Sequence, residues 1–218
     1  MNTTTSIVPP APERPWDARL ARRLITPLIH TRVTPNHLTT VRLLVGVAAI
    51  AAFLPGSYGW SNIAALLFVL SNFLDHTDGE LARLSGKTSR IGHIYDLASD
   101  ALIHIALFAA IGYGLRDSQL GYWATPLGLV AGCAVSLIFW MRMVIEERLG
   151  KAGTKLASVG GFETEDVLYL MPLVSLSGAL QPFLLAAAVG APLYALWVTA
   201  EFLRSGRPPV NHGRPCQH

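Results

Sequence analysis

Apolar residues dominate this chain in long blocks, and the polar residues between them mark where each block ends. Over residues 16–30, Leu20, Leu24 and Leu28 recur at helical spacing with Ile25 beside them, while Arg19, Arg22 and Arg23 supply the polar side. This pattern predicts an amphipathic helix at a membrane interface, kinked or ended by Pro27; the same pattern also suits a cytosolic helix packed on its own protein. Five apolar tracts follow. The first, residues 37–54, is interrupted only by Arg42 and stops at Pro55-Gly56. The second, residues 63–74, has twelve residues, too few for a bilayer that takes about 20. Its helix must therefore run on to about residue 84, carrying Asp75 and Asp78 to membrane depth near one face. The third and fourth cover residues 91–115 and 122–144. The last, residues 167–200, has 34 residues without Asp, Glu, Lys or Arg. As one helix it would be about 51 Å long, against a hydrocarbon core of about 30 Å. Gly178, Gln181 and Pro182 offer a break, which divides it into spans over residues 165–180 and 182–204. Pro172, Gly190 and Pro192 are tolerable inside membrane helices whose neighbours satisfy the freed backbone groups.

The expected fold is therefore an all-α integral membrane protein with six transmembrane helices behind an N-terminal amphipathic interfacial helix. Composition agrees: 51% of the 218 residues are hydrophobic and 14% charged, with a mean hydropathy of +0.41, values that fit a membrane protein better than a soluble domain. The expected organisation is a flexible proline-rich lead (1–15), the amphipathic juxtamembrane helix (16–32), a six-helix membrane domain (33–204) and a cytosolic tail (205–218). The lead lacks the apolar core of a signal peptide. A formal charge of +3 and a pI near 9.1 raise the question of nucleic acid, but the basic residues bracket apolar runs instead of forming a soluble patch, so their expected neighbours are anionic membrane lipids and not nucleic acid. With the N-terminus inside, only Arg116 of the 17 Lys and Arg residues falls outside, as the positive-inside rule requires. Cys133 and Cys216 have neither CxxC nor zinc spacing, so no disulfide or zinc site is expected.

Residues 75–100 read DHTDGELARLSGKTSRIGHIYDLASD. On a helix Asp75 and Asp78 point together, as do Gly92, Asp96 and Asp100. Two such helices facing each other would converge four acids on one point, and close negative charges at low dielectric demand protons or cations. Carboxylate oxygens favour hard divalent ions over zinc. Each charge at mid-membrane costs roughly 2.5 to 3.5 kcal/mol on insertion scales, so a functional reason outweighs simple pairing of these acids with Arg83 and Arg90.

The spacing Asp75-x2-Asp78-Gly79-x2-Ala82-Arg83-x8-Gly92-x3-Asp96-x3-Asp100 matches at every fixed position the signature of the CDP-alcohol phosphotransferases, a family that this stretch resembles. Residues 34–39, TPNHLT, with Arg42, also look like that family's segment before its first span. The resemblance implies divalent-metal-dependent transfer of a substituted phosphate group from a CDP-alcohol donor, such as CDP-diacylglycerol, to an acceptor hydroxyl, with release of CMP, in phospholipid or related phosphodiester synthesis. It implies a homodimer in a bacterial or archaeal cell membrane, and the orientation set by the basic residues turns its four acids toward the cytoplasm. Carried over by position, Asp75, Asp78 and Asp96 resemble metal ligands for two Mg²⁺ or Mn²⁺ ions, and Asp100 resembles the base toward the acceptor, with a share in metal binding. Asp78, Gly79, Ala82, Arg83 and Gly92 correspond to nucleotide-binding positions. Small residues there would let a nucleotide approach the backbone, although they equally serve helix packing. Arg83 could fork onto a phosphate or snorkel to headgroups.

Outside the signature, Arg42, Lys87, Arg90 and Arg142 could form a cationic acceptor pocket, and each equally reads as a helix-end anchor. His76 and His93 flank the acids and could tune or ligate, or make plain polar contacts. Glu163, Glu165 and Asp166 read first as acids favoured at a helix N-terminus. Trp123, Trp140, Trp197, Tyr113 and Tyr122 read as interface markers. Two other classes remain as alternatives: an intramembrane Mg²⁺-dependent prenyltransferase, whose motif spacings fit Asn72, Asp75 and Asp78 poorly, and a cation transporter, which would usually carry an internal repeat.

Overall fold

The computed structural model describes residues 16–29, 31–87, 89–149 and 164–205, and every regular element in them is helical. In chain order these are α1 (Trp16–Ile25), α2 (Pro35–Phe53), α3 (Tyr58–Ser85), α4 (Arg90–Gly114), α5 (Ala124–Leu149), α6 (Met171–Leu176) and α7 (Leu180–Ser205). Segments of 3-10 helix lie at Thr26–Leu28, Gly121–Trp123 and Thr164–Leu170. The expected lead over residues 1–15, the tail beyond residue 205, Glu163 and Cys216 lie outside the described residues.

Proline and glycine set the boundaries. α1 stops at Ile25, just before Pro27, whose ring cannot continue a helix interior. Pro35 opens α2 at its first position, where no N–H is needed, and the Thr34 backbone N–H donates to His37 Nδ1 at 3.3 Å. Gly86, in the left-handed conformation at φ +66°, closes α3. Two residues further on from Lys87, Ser89 caps α4 by accepting from the Gly92 N–H at 3.0 Å.

α2 packs against both α3 and α4; α4 packs on α5, α5 on α7, and α1 and α6 on α3. The shared core holds Phe53, Phe68, Leu107, Phe108, Met171 and Leu184, all fully buried, with Phe108 and Phe183 stacked at 6.0 Å. The α4–α5 contact is backbone on backbone. A Cβ on Gly132 would lie 2.8 Å from Ile105 Cα, and one on Gly128 would collide with the Phe108 carbonyl. Glycines four residues apart on one helix face are what such close approach requires.

Four helical stretches among the described residues are long and apolar enough to cross a membrane: Pro35–Phe53, Arg90–Gly114, Gly121–Ile145 and Leu180–Ala200. Only 22% of the last is buried, and its Val189, Leu193 and Leu196 are left exposed. Such a surface is at home in hydrocarbon and costly in water. At 28 residues α3 is longer than any of them, but polar positions from Asn62 to Asp78 lower its hydropathy. The expected break of the last tract occurs at Ser177–Ala179, with Gly178 at φ +69°. The expected span over residues 165–180 is not one continuous α-helix. It comprises seven residues of 3-10 helix and six of α-helix, together about 23 Å at 2.0 and 1.5 Å per residue. The reason is local: Pro172, at the start of α6, donates no hydrogen bond back into the preceding turn.

Candidate active site

Helical spacing places Asp75 and Asp78 on α3, and Asp96 and Asp100 on α4. Because α2 contacts both helices, its residues Thr39 and Arg42, one turn apart, reach acids on both. One carboxylate oxygen each from Asp75, Asp78 and Asp96 lie within 4.8 Å of one another. That separation is about twice the 2.0 to 2.6 Å of a metal–oxygen bond to a hard divalent ion, so the three residues fit a metal ion placed between them. Asp78 is buried, 3% exposed, and its Oδ2 accepts a 2.8 Å hydrogen bond from the Thr39 hydroxyl. Asp96 keeps a buried Oδ1 without a hydrogen-bond partner, an acceptor with capacity to spare for a cation.

Arg42 is the counter-charge. Its guanidinium, 2% exposed, makes an ion pair with Asp75 and stands 3.1 Å from Asp100 and 3.4 Å from Asp96 through Nη1; Nη2 donates to the Asp96 carbonyl at 3.3 Å. Four carboxylates against one guanidinium leave three formal negative charges in a partly buried cluster, which a divalent cation would offset. The acids are thus paired with Arg42, and not with Arg83 or Arg90. Arg83 is exposed and pairs with Glu80 one turn back at 3.1 Å.

The remaining residues singled out by sequence are placed less tightly. Gly79 lies beneath the Arg83 side chain, with room for a Cβ. At Gly92 a Cβ would press to 2.7 Å from Asn36 Oδ1, so this glycine serves the α2–α4 contact. Ala82 is half-buried on α3. Of the four cations considered for an acceptor pocket, Arg42 is held among the acids, whereas Lys87 donates to the Thr31 and Val33 carbonyls at 3.0 and 3.4 Å. Arg90 is exposed at the start of α4, and Arg142 is half-buried on α5. His76 Nδ1 lies 3.0 Å from the Asn72 carbonyl oxygen and 3.4 Å from the Tyr169 hydroxyl, while His93 is exposed on α4 one turn before Asp96.

Several participants were not legible from spacing. Thr39 reaches Asp78 from another helix, whereas Asn72 and His104 lie one turn from Asp75 and Asp100 on α3 and α4 as uncharged polar residues that spacing does not mark; Arg42 stood out by its lone charge in an apolar tract and by its place after the TPNHLT segment. His104, fully buried, sets Nδ1 2.8 Å from the Asp100 carbonyl oxygen and its ring against Phe139 at 4.9 Å.

Comparison with known proteins gives this geometry a context. The family model for CDP-alcohol phosphatidyltransferase matches residues 32–200. The chain is 30% identical over 189 residues to the cardiolipin synthase (CMP-forming) of Streptomyces coelicolor, covering 81% of this chain and 83% of that one. It is 30% identical over 123 residues to a bifunctional IPC transferase and DIPP synthase of Thermococcus kodakarensis, of which it spans only 27%. Among solved structures, the phosphatidylinositol phosphate synthase of Mycobacterium tuberculosis, crystallised with CDP-DAG bound, has the same fold, with a TM-score of 0.53 at 19% identity over 93% of this chain and 99% of that one. With the family model matching most of its length and the acidic signature gathered on two helices around Arg42, the chain belongs to the CDP-alcohol phosphatidyltransferase family.

Proposed function

We propose that the chain transfers a substituted phosphate group from a CDP-alcohol to an acceptor hydroxyl, releasing CMP, in phospholipid or related phosphodiester synthesis. The observation that carries this reading is the meeting of Asp75, Asp78 and Asp96 within 4.8 Å in a chain whose signature is complete. These three residues, with Asp100, would hold Mg²⁺ or Mn²⁺, two ions in all. Bound divalent ions neutralise the donor's diphosphate and align the attacking and leaving oxygens.

The chain's own residues do the rest. The Thr39 hydroxyl fixes the orientation of the Asp78 carboxylate, and Arg42 offsets part of the acids' mutual repulsion, which keeps α3 and α4 close enough that acids of both helices could hold a cation. Asp100, a third exposed and one turn from Asp96, accepts the proton of the acceptor hydroxyl as that oxygen attacks phosphorus. Asp78, Gly79, Ala82, Arg83 and Gly92 line the nucleotide's approach along α3 and the start of α4. Arg83, exposed and paired with Glu80, exchanges that carboxylate for a donor phosphate. Arg42 at the acids, with Lys87 and Arg90 between α3 and the start of α4 and Arg142 on α5, supplies the positive field that draws an anionic acceptor.

In this reading α3 and the segment Thr164–Leu176 join the four apolar stretches to make six spans, α1 lies at the interface, and residues 33–204 form the catalytic domain of a homodimer. Both termini and the acids face the cytoplasm of a bacterial or archaeal cell. Since the Mycobacterium neighbour carries CDP-DAG, a diacylglycerol-linked donor is the first to try. The test is to incubate purified protein in lipid with CDP-diacylglycerol or another CDP-alcohol, one acceptor at a time, and assay CMP. Release that requires both a donor and an acceptor supports the proposal; a folded protein that releases no CMP with any pair would overturn it.

A further inference from the structure

Beside the carboxylates, between α2, α3 and α4, lies a cavity of about 10 Å³ whose lining includes Arg42, Ser71, Asn72, Asp75, Asp100 and His104, room for about one water. Three of these residues carry a buried side-chain nitrogen without a hydrogen-bond partner: Arg42 Nε, Asn72 Nδ2 and His104 Nε2. Such atoms are uncommon in folded proteins, and three around one cavity call for a shared partner. Their chemistry selects it. Arg42 Nε–H and the Asn72 amide are donors. The Asp100 carbonyl, 2.8 Å from His104 Nδ1, can only accept, so Nδ1 carries a proton and Nε2 of the neutral ring is an acceptor. A cation would face the Arg42 charge and two N–H donors; an anion would face Asp75 and Asp100. A water satisfies the set, accepting from Arg42 and Asn72, donating to His104 Nε2, and keeping a second hydrogen for a carboxylate.

We propose that this cavity is a built site for one ordered water, through which Asn72 and His104 act as positioning residues for Arg42. The Nη1 end of Arg42 is held by the acids; the water anchors the Nε end, fixing the guanidinium plane beneath Asp75 and Asp100. Ser71 adds to this from the same cavity by donating to the Arg42 carbonyl at 3.0 Å. The water site follows from the cavity and its nitrogens alone, whereas its effect on turnover rests on the phosphotransfer reading.

Two measurements test it. An experimental structure of the full chain in lipid, at a resolution that displays waters, should contain a density peak within hydrogen-bond distance of Arg42 Nε, Asn72 Nδ2 and His104 Nε2. A cavity without density, or closed by a side chain, would overturn the proposal whether or not the wild type releases CMP. Kinetically, Asn72→Leu and His104→Phe should each lower kcat by roughly tenfold or more, the scale for a lost outer partner of a metal site, with the donor KM little changed. The double variant should be no worse than the poorer single one, because both act through one water. His104→Gln, which keeps an acceptor, should recover most of the rate. Additive losses, a change confined to KM, or no recovery in His104→Gln would contradict the positioning role. Absence of CMP release by the wild type would instead overturn the phosphotransfer reading, leaving the water site to the density.

Discussion

Arg42 makes the acidic cluster tolerable and also limits it. A guanidinium in contact with Asp75, Asp96 and Asp100 reduces the repulsion among carboxylates that would otherwise push α3 and α4 apart, yet leaves net negative charge for divalent ions. Within that cluster the roles divide by position. Asp96 belongs to the group of three whose oxygens converge; Asp100, a turn further along α4, meets the cluster through Arg42. Asp100→Asn should therefore leave donor binding largely intact and reduce turnover by about 10²-fold or more, as for a lost general base, while Asp96→Asn should damage both. Donor affinity and single-turnover rates in the two variants separate these effects; normal turnover in the Asp100 variant would remove its role as base, and equal loss of binding in both would make it primarily a metal ligand. The four acids were legible in the sequence because helical spacing alone puts them on shared faces. The contact of Thr39 with Asp78 was not, because side chains that meet across helices leave no periodic trace in either one; Asn72 and His104 share the faces of Asp75 and Asp100 on α3 and α4, but spacing does not distinguish an uncharged polar residue there from an ordinary packing contact.

At the scale of elements, glycine spacing decides how closely α4 and α5 approach. A side chain on Gly128 would enter the Phe108 carbonyl, so Gly128→Val should destabilise the folded protein by roughly 1 to 3 kcal/mol, the usual range for overpacking, whereas Gly190→Ala, with nothing within 4 Å of the new Cβ, should not. Thermal unfolding of both in the same detergent checks the contrast, and equal midpoints would contradict the packing. Helix ends were readable from Pro27 and Gly178, since these residues act on the backbone through local geometry. The helix type over Thr164–Leu176 was not, because hydropathy is the same for a 3-10 and an α segment, and only the missing N–H of Pro172 hints at the change.

For the whole molecule, apolar surface left exposed along α2, α4, α5 and α7 calls for a hydrocarbon surround, and membership of the family decides against the prenyltransferase and transporter alternatives. Orientation rests on charge: Arg116, in the turn after α4, is the basic residue assigned to the outside. In a background lacking Cys133 and Cys216, single cysteines at Ser118 and Ser205 should be labelled by impermeant reagent from opposite sides of the membrane; labelling from the same side would defeat the six-span arrangement. The proposed function requires that the aspartates of α3 and α4 hold the divalent ions that make CDP-alcohol transfer possible. It is tested most directly by following CMP release from purified protein against added Mg²⁺ or Mn²⁺, with Asp78→Asn alongside, since asparagine keeps the volume and removes the anionic ligand. Release should be abolished by chelation, restored by the metal and lost in folded Asp78→Asn. Release that persists in chelator, or is undiminished in the variant, would contradict it.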